Sequence, residues 1–102
     1  MKHIQKQVDE WLQQYKVPYW SPHEILARLM EEVGELAREV NHRFGPKKKK
    51  AAEVQKEIRD ELGDVLFALV CFANSLGIDL DEMFTDTMKK VMSRDADRFE
   101  KK

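Results

Sequence analysis

Apolar side chains recur at intervals of three and four residues along four segments of this 102-residue chain. This spacing places the apolar positions on one face of an α-helix, and no segment has the strict alternation that is typical of a strand. The pattern therefore predicts four helices. Their apolar stripes are Ile4, Val8, Trp11, Leu12 and Tyr15; Leu26, Leu29, Met30, Val33, Leu36, Ala37 and Val40; a run from Val65 to Ala73; and Leu80, Met83, Phe84, Met88, Val91, Met92 and Phe99.

Turn and capping residues predict where the first two helices begin and end. The first is expected to end near Pro18, because proline removes a backbone donor and does not fit a helix interior. In Ser21-Pro22-His23-Glu24 an N-cap serine precedes a first-turn proline, and a glutamate follows three residues after the cap. This combination is a strong helix-start signal. The second helix is expected to end at Gly45-Pro46.

Loop, glycine and capping residues further along the chain predict the bounds of the last two helices. A basic loop, Lys47 to Lys50, precedes a third helix that begins near Ala51 and ends at Ser75-Leu76-Gly77. A second capping sequence, Asp79 to Glu82, begins the fourth helix. No internal linker divides the chain, so residues 1–102 are interpreted as a single domain with an all-α, four-helix bundle fold.

Charge and cysteine content narrow the class of protein. The 18 Lys and Arg nearly balance the 19 Asp and Glu, for a formal net charge of −1. A near-neutral chain gives no indication of nucleic acid or anionic membrane as a partner. The single Cys71 has no intramolecular disulfide partner, and no apolar stretch approaches the length of a membrane span or a leader. A cytoplasmic protein is the expectation.

One six-residue pattern occurs twice in the predicted helices. Glu31 to Leu36 and Asp60 to Val65 both read acid, acid, apolar, Gly, acid, apolar. A glycine in a helix interior costs about 1 kcal/mol relative to alanine, and crowded carboxylates repel one another. A bound divalent cation is the simplest compensation.

The spacing of the acids supports this hypothesis. Glu32 and Glu35 lie about one turn apart on the second helix, and Glu61 and Asp64 have the same spacing on the third. The row that holds Glu61 and Asp64 continues through apolar residues, so a charge there needs a partner. Four carboxylates on two packed helices form an oxygen cage that suits Mg²⁺, with Mn²⁺ as a substitute.

Ordinary ion pairs are the alternative for these acids. Arg28 and Glu32, Glu35 and Arg38, and Glu39 and Arg43 have helical spacing, and such pairs contribute a few tenths of a kcal/mol. The repetition and the two glycines favour the metal. Gly34 and Gly63 would also let a backbone or a ligand approach closely.

The acidic pattern resembles the signature of the MazG-like, all-α nucleoside triphosphate pyrophosphohydrolases. The resemblance rests on Glu31-Glu32-x-x-Glu35 and on Glu61-x-x-Asp64 within Glu61 to Leu66, and it extends from Trp20 to about Phe99. It implies Mg²⁺-dependent cleavage of a nucleoside triphosphate between the α and β phosphates. By the same resemblance, Glu32, Glu35, Glu61 and Asp64 bind metal, whereas Glu31 orients water or holds a further ion.

This expectation also suggests residues for proton transfer and for substrate binding. Either Glu31 or Glu35 is a candidate to accept a proton from the attacking water. Trp20 is a candidate for stacking on the base, and Asn74 for contacting the sugar or a metal-bound water. Lys90 and Arg94 lie one turn apart on the fourth helix and are candidates for phosphate contacts, although a solvated basic face explains them equally well.

The last expectations concern the oligomeric state and the substrate. The third helix is apolar all round from Val65 to Ala73, which favours packing against a second copy, and the resemblance implies a homodimer or homotetramer. The leading hypothesis is a housecleaning enzyme for the nucleotide pool. The alternatives are a pyrophosphatase dedicated to one metabolite, such as dUTP or phosphoribosyl-ATP, and a non-catalytic metal-binding interaction protein.

Overall fold

Four α-helices in the predicted order make up the computed structural model. It describes residues 1–46 and 51–102, and for residues 51–56 the backbone alone. The helices are α1 (Lys2–Leu12), α2 (Pro22–Phe44), α3 (Ala51–Ser75) and α4 (Leu80–Arg94). No strand occurs in these described residues, so the predicted all-α class is confirmed. The basic loop Lys47 to Lys50 lies outside the described residues.

The predicted starts of α2 and α4 are confirmed by their caps. The hydroxyl of Ser21 accepts from the backbone N–H of Glu24, and the Glu24 carboxylate accepts from the Ser21 backbone N–H, both at 3.4 Å. At α4, Asp79 Oδ1 accepts from the backbone N–H groups of Asp81 and Glu82 at 2.9 and 3.1 Å. Each cap satisfies donors that the first helical turn leaves without partners.

Two helices end earlier than their apolar stripes predict. Helix α1 ends at Leu12, where the Tyr15 N–H bonds to the Leu12 carbonyl at 3.1 Å in a tighter turn and Gln14 Nε2 donates to the Trp11 carbonyl at 2.8 Å. Helix α4 ends at Arg94, before Phe99. The carboxylate of Asp95 is unfavourable near the negative end of a helix, and it pairs with Arg94 at 3.0 Å.

Helices α2 and α3 form the closest pairing, and α1 packs on α3. A small core joins α1, α3 and the start of α4: Val70, Ala73 and Leu80 are buried, with Ile4 and Val8 packed against them. Helix α4 otherwise makes sparse contact with the other helices. The α2–α3 pair is therefore the scaffold that carries the two copies of the six-residue acidic pattern. We call these copies, Glu31 to Leu36 and Asp60 to Val65, the acidic phrases.

Much apolar surface stays exposed on this chain. Met30 on α2 is 56% exposed, and Phe84 and Met92 on α4 are 58% and 64% exposed. Further exposed apolar residues on α2, α3 and α4 are Leu26, Val33, Val40, Leu62, Leu66, Phe67, Leu69, Met83 and Met88. Exposed apolar surface of this extent is typical of a chain with an interaction face.

No single helix in the described part of the chain has the length and apolarity to cross a membrane. The segments Glu57–Ser75 and Leu80–Arg94 meet that criterion only as a pair, and they are bent by 103° relative to each other.

Candidate metal centre

Three carboxylates from the repeated phrases converge between α2 and α3. One oxygen from each of Glu32, Glu61 and Asp64 lies within 4.8 Å of the other two. Glu61 and Asp64 share a face of α3 because residues three apart on a helix are neighbours. The packing of α2 on α3 places Glu32 opposite them. The structure thus brings these side chains together, and their role as metal ligands stays a prediction.

The cluster contains two buried oxygens without hydrogen-bond partners among the described residues. They are Oε2 of Glu32 and Oε2 of Glu61. Glu32 as a whole is only 3% exposed. A buried carboxylate oxygen without a partner is costly, and hard divalent cations prefer several carboxylate oxygens as ligands. The donor set therefore fits Mg²⁺ or Mn²⁺ chemically.

The neighbouring negative charges change the pKa of Glu61. Burial, a hydrogen bond with the Glu35 side chain and the negative charges of Glu35, Asp64 and Glu32 together raise the pKa of Glu61 above its usual value of 4.5. Glu35, the fourth predicted ligand, is thus in contact with the cluster, although it lies outside the group of three converging oxygens. A cation would remove this repulsion, as it favours the charged carboxylates.

Arg28 provides positive charge beside the cluster. Its Nε lies 2.7 Å from Oε1 of Glu32, one turn away on α2. The arginine side chain is 54% exposed, whereas the glutamate side chain is 4% exposed. The pair is therefore half-buried and differs from the fully solvated pair that helical spacing alone predicts. It engages Oε1 of Glu32, whereas Oε2 has no hydrogen-bond partner among the described residues.

A cavity of about 310 Å³ adjoins the carboxylates. Glu32, Asp64 and Arg28 contribute its charged lining. The rest of the lining is mainly apolar and aromatic: Trp11, Leu12, Pro18, Tyr19, Trp20, Ile25, Phe67, Ala68 and Cys71. An apolar chamber with a few convergent polar groups is the usual form of a small-molecule site.

The predicted substrate residues are placed in different parts of the molecule. Trp20 lines the cavity and is 55% exposed. Lys90 and Arg94 lie on α4 and do not line it, and Arg94 pairs with Asp95. Glu31 is exposed on α2 and lies outside the converging group. The proposed roles of these residues stay predictions.

The two glycines of the acidic phrases are not required by packing within the chain. A Cβ built at Gly34 or Gly63 meets no atom within 4 Å. No backbone of the described residues makes the close approach that the sequence pattern suggested. Both positions are open to a partner from outside the chain.

The sequence profile of the MazG nucleotide pyrophosphohydrolase domain matches residues 20–99, which is most of the chain. This match covers both acidic phrases and the helices that carry them. The chain belongs to the MazG nucleotide pyrophosphohydrolase family. It is accordingly a hydrolase of phosphoric anhydride bonds, and the resemblance found in the sequence is confirmed.

Relatives of this MazG chain have similar length. The uncharacterized protein YpjD of Bacillus subtilis (strain 168) is 55% identical over 102 residues, which cover 100% of this chain and 92% of YpjD. The uncharacterized protein YvdC of the same organism is 31% identical over 96 residues, covering 84% of this chain and 91% of YvdC.

Solved structures confirm the fold. The crystal structure of the Bacillus-conserved MazG protein, a nucleotide pyrophosphohydrolase, matches with a TM-score of 0.76 and 48% identity, over 87% of this chain and 85% of that one. The crystal structure of YpjD from Bacillus subtilis matches with a TM-score of 0.80 and 56% identity, over 87% of this chain and 91% of that one.

A hydrogen-bonded network behind the cavity of this MazG chain was not evident from its sequence. The Tyr19 hydroxyl donates to Asp9 Oδ1 at 2.6 Å and accepts from Asn74 Nδ2 at 3.1 Å. Burial and the bond to Asp9 raise the pKa of Tyr19 to about 12. Asn74 also donates to the Gln5 carbonyl and accepts from Gln5 Nε2. Both amide hydrogens of Asn74 are therefore engaged, and a contact to substrate stays a prediction.

Proposed function

We propose that this MazG protein is a Mg²⁺-dependent nucleoside triphosphate pyrophosphohydrolase that cleaves ribo- and deoxyribonucleoside triphosphates between the α and β phosphates. The products are the monophosphate and pyrophosphate. The observation that carries the proposal is the meeting of Glu32, Glu61 and Asp64 beside an apolar, aromatic cavity. A charged triphosphate and a flat base need these two environments next to each other.

Glu32, Glu35, Glu61 and Asp64 would hold the cation. The unpartnered oxygens of Glu32 and Glu61 support this assignment. When bound, Mg²⁺ neutralises phosphate oxygens and lowers the pKa of a coordinated water. The protein fixes the ligands on two rigid helices, so that the acids are in position before the substrate arrives. Mn²⁺, with similar ligand preferences, is the expected substitute.

An exposed carboxylate next to the cluster is the proposed general base. Glu35 contacts Glu61 through a hydrogen bond and faces solvent, so it is within reach of a water at the cluster. Glu31 is the second candidate, with a solvent-exposed side chain on the neighbouring turn of α2. Either carboxylate would accept the proton of the attacking water. No covalent intermediate with the protein is needed.

The nucleoside would occupy the apolar part of the cavity. Its volume of about 310 Å³ lies at the lower end of the range for small-molecule sites. Trp20 is the proposed stacking residue, because an indole ring offers a flat apolar face to any base. This arrangement favours a broad set of bases and hence a housecleaning role in the nucleotide pool of the cytoplasm.

A homodimer or homotetramer is the proposed assembly of this single-domain protein. The exposed apolar faces of α2, α3 and α4 support it, since water contact with such surface is unfavourable. The open positions at Gly34 and Gly63 would accept a neighbouring helix at short distance. Lys90 and Arg94 on α4 keep their proposed phosphate contacts if assembly brings α4 to a cavity.

The decisive experiment measures pyrophosphate and orthophosphate release from a panel of NTPs and dNTPs with Mg²⁺ or Mn²⁺. The panel includes dUTP and phosphoribosyl-ATP. Glu61→Gln tests the cluster, and Asp60→Asn is the matched control, because Asp60 is the exposed neighbouring acid on α3. We expect pyrophosphate from wild type and Asp60→Asn, none after chelation, and a fall of about a hundredfold or more with Glu61→Gln.

Other results would redirect the proposal. Turnover of dUTP or phosphoribosyl-ATP alone would indicate a dedicated pyrophosphatase. Orthophosphate release would place the cleavage at a different bond. Metal binding without turnover of any compound in the panel would contradict the nucleotide substrate class and favour a non-catalytic metal-binding role.

A further inference from the structure

We infer that Arg28 contacts the phosphate next to the sugar of the bound nucleotide, while its Nε stays paired with Glu32. This inference rests on the proposed function and adds a substrate-binding residue that the acidic motif does not contain. It follows from three features of the described residues: the placement of the guanidinium, the charge of the cavity lining and the anchoring of the side chain.

The placement of Arg28 leaves most of its donors available. Nε lies 2.7 Å from Oε1 of Glu32. The two terminal nitrogens make no other ion pair among the described residues, and the side chain is 54% exposed and lines the cavity. A guanidinium carries five N–H donors in a fixed plane, four of them on the terminal nitrogens. These donors have the geometry that phosphate oxygens accept in pairs.

The charges of the cavity lining explain why a cation is needed at this position. Arg28 is the only Lys or Arg among the described lining residues, and the other charged groups there are Glu32 and Asp64. A phosphate that approaches two carboxylates is repelled until positive charge is present. Arg28 lies beside these acids, and no other Lys or Arg is among the described lining residues. It therefore adds positive charge to that of a divalent cation at the cluster.

The location within the cavity identifies the phosphate. The apolar and aromatic lining fits the nucleoside, and the carboxylates fit the region of the triphosphate. Arg28 borders both parts, because it precedes Glu32 by one helical turn and follows buried Ile25 by three residues, and all three line the cavity. A group at this junction meets the first phosphate, which stays on the monophosphate product.

The ion pair with Glu32 reduces the entropy that Arg28 loses when it contacts a phosphate. A free arginine loses considerable side-chain freedom on binding, whereas the ion pair with Glu32 already restricts the guanidinium. Lys90 and Arg94, which the sequence offered as candidates for phosphate contacts, do not line the cavity. Among the described residues, Arg28 is therefore the cation that already lines the cavity.

The test compares ligands with and without a phosphate. Binding of the four deoxynucleoside monophosphates and the four matching deoxynucleosides is measured by calorimetry in Mg²⁺ for wild type, Arg28→Ala and Arg28→Lys. Arg43→Ala is the control, because Arg43 lies on the same helix, contacts the Phe44 ring and does not line the cavity.

We expect Arg28→Ala to weaken monophosphate binding about tenfold to a hundredfold, as for the loss of charge-assisted hydrogen bonds. Arg28→Lys is expected to lose less, because it keeps the charge without the planar fork. Deoxynucleoside affinity should change by less than about threefold. Melting temperatures of all variants show that each is folded.

A direct metal titration separates phosphate contact from positioning of Glu32. Mn²⁺ affinity is measured by electron paramagnetic resonance without nucleotide, and Arg28→Ala is expected to bind Mn²⁺ at least as tightly as wild type. Unchanged monophosphate affinity, or a loss of Mn²⁺ affinity equal to the loss of monophosphate affinity, overturns the inference. Pyrophosphate release by wild type in the same preparations shows that the proposed function stands when only the role of Arg28 fails.

Discussion

Two polar clusters contribute to the cavity lining, one through Tyr19 and the other through Glu32 and Asp64, and they differ in how their polar atoms are satisfied. In the network of Gln5, Asp9, Tyr19 and Asn74, side-chain amides and a hydroxyl donate to an amide oxygen, a hydroxyl, a carboxylate and a backbone carbonyl at 2.6 to 3.1 Å. In the carboxylate cluster, two buried oxygens have no hydrogen-bond partner among the described residues.

The pKa values of one carboxyl group in each cluster show the same contrast. The bonds from Tyr19 and Gln13 hold the pKa of Asp9 below its usual value, whereas burial and neighbouring carboxylates raise the pKa of Glu61. A satisfied network stabilises the fold, and an unsatisfied, repelling cluster reduces stability until a ligand binds. The satisfied network is therefore a structural cluster, and the unsatisfied carboxylates are the proposed functional one.

The largest expected effect comes from Glu61→Gln. This change keeps the shape of the side chain and removes one charge from the cluster, so pyrophosphate release should fall about a hundredfold or more. The melting temperature in EDTA should stay the same or rise, because repulsion with Glu35, Asp64 and Glu32 is reduced. Parallel activity and unfolding assays measure both. A large loss of stability in EDTA would mean that the cluster is structural.

Gln5→Ala should show the opposite behaviour. It removes the bonds from Gln5 Nε2 to Asn74 and to the Ile78 carbonyl, and the bond that Gln5 Oε1 accepts from the Leu80 N–H. The free energy of unfolding should fall by about 1–3 kcal/mol, because partly buried groups lose their partners. Urea denaturation measures the change. Gln7→Ala, an exposed position on the same helix, is the control and should have little effect.

A smaller effect is expected for Tyr19→Phe. The ring stays in place, but the hydroxyl bonds to Asp9 and Asn74 are lost. We expect about 1 kcal/mol of destabilisation. The pKa of Asp9 should rise toward its usual value, because the hydrogen bond from Tyr19 is the main cause of its lowering. An NMR titration of the Asp9 carboxyl would contradict this account if its pKa did not move.

The smallest effect is a pH dependence of the metal-free protein. Since the pKa of Glu61 is raised in the folded state, the folded protein holds this proton more tightly than the unfolded chain. The stabilising contribution is complete below about pH 4.5, and it is lost as pH rises through the higher folded pKa. Melting temperatures in EDTA should therefore drop with pH more steeply for wild type than for Glu61→Gln. Equal slopes would contradict the raised pKa.

Local features of this chain were predictable from the sequence. The caps at Ser21 and Asp79 act within three residues, so their geometry follows from the sequence pattern. The acids of each phrase share a face because their spacing is one helical turn, and the apolar faces of α2 and α3 bring the two phrases together. The shared face of each pair of acids depends only on helical periodicity, whereas the meeting of the two pairs also requires that α2 packs on α3.

Features that depend on distant contacts were not predictable. Asn74 bonds to Gln5, 69 residues away, and to Tyr19, 55 residues away, and no periodicity relates these positions. The half-burial of the Arg28–Glu32 pair follows from α3 packing over Glu32, which helical spacing does not contain. The end of α4 at Arg94, before Phe99, is a local feature, but the apolar stripe does not express it.

The most direct test of the carboxylate cluster is a Mn²⁺ titration without nucleotide, followed by electron paramagnetic resonance, on wild type, Glu61→Gln and Asp60→Asn. The account predicts saturable binding by wild type and Asp60→Asn, competition by Mg²⁺, and at least tenfold weaker binding by Glu61→Gln, about the effect of losing one ligand. Equal Mn²⁺ affinity of all three proteins would contradict the assignment of Glu32, Glu35, Glu61 and Asp64 as the metal centre.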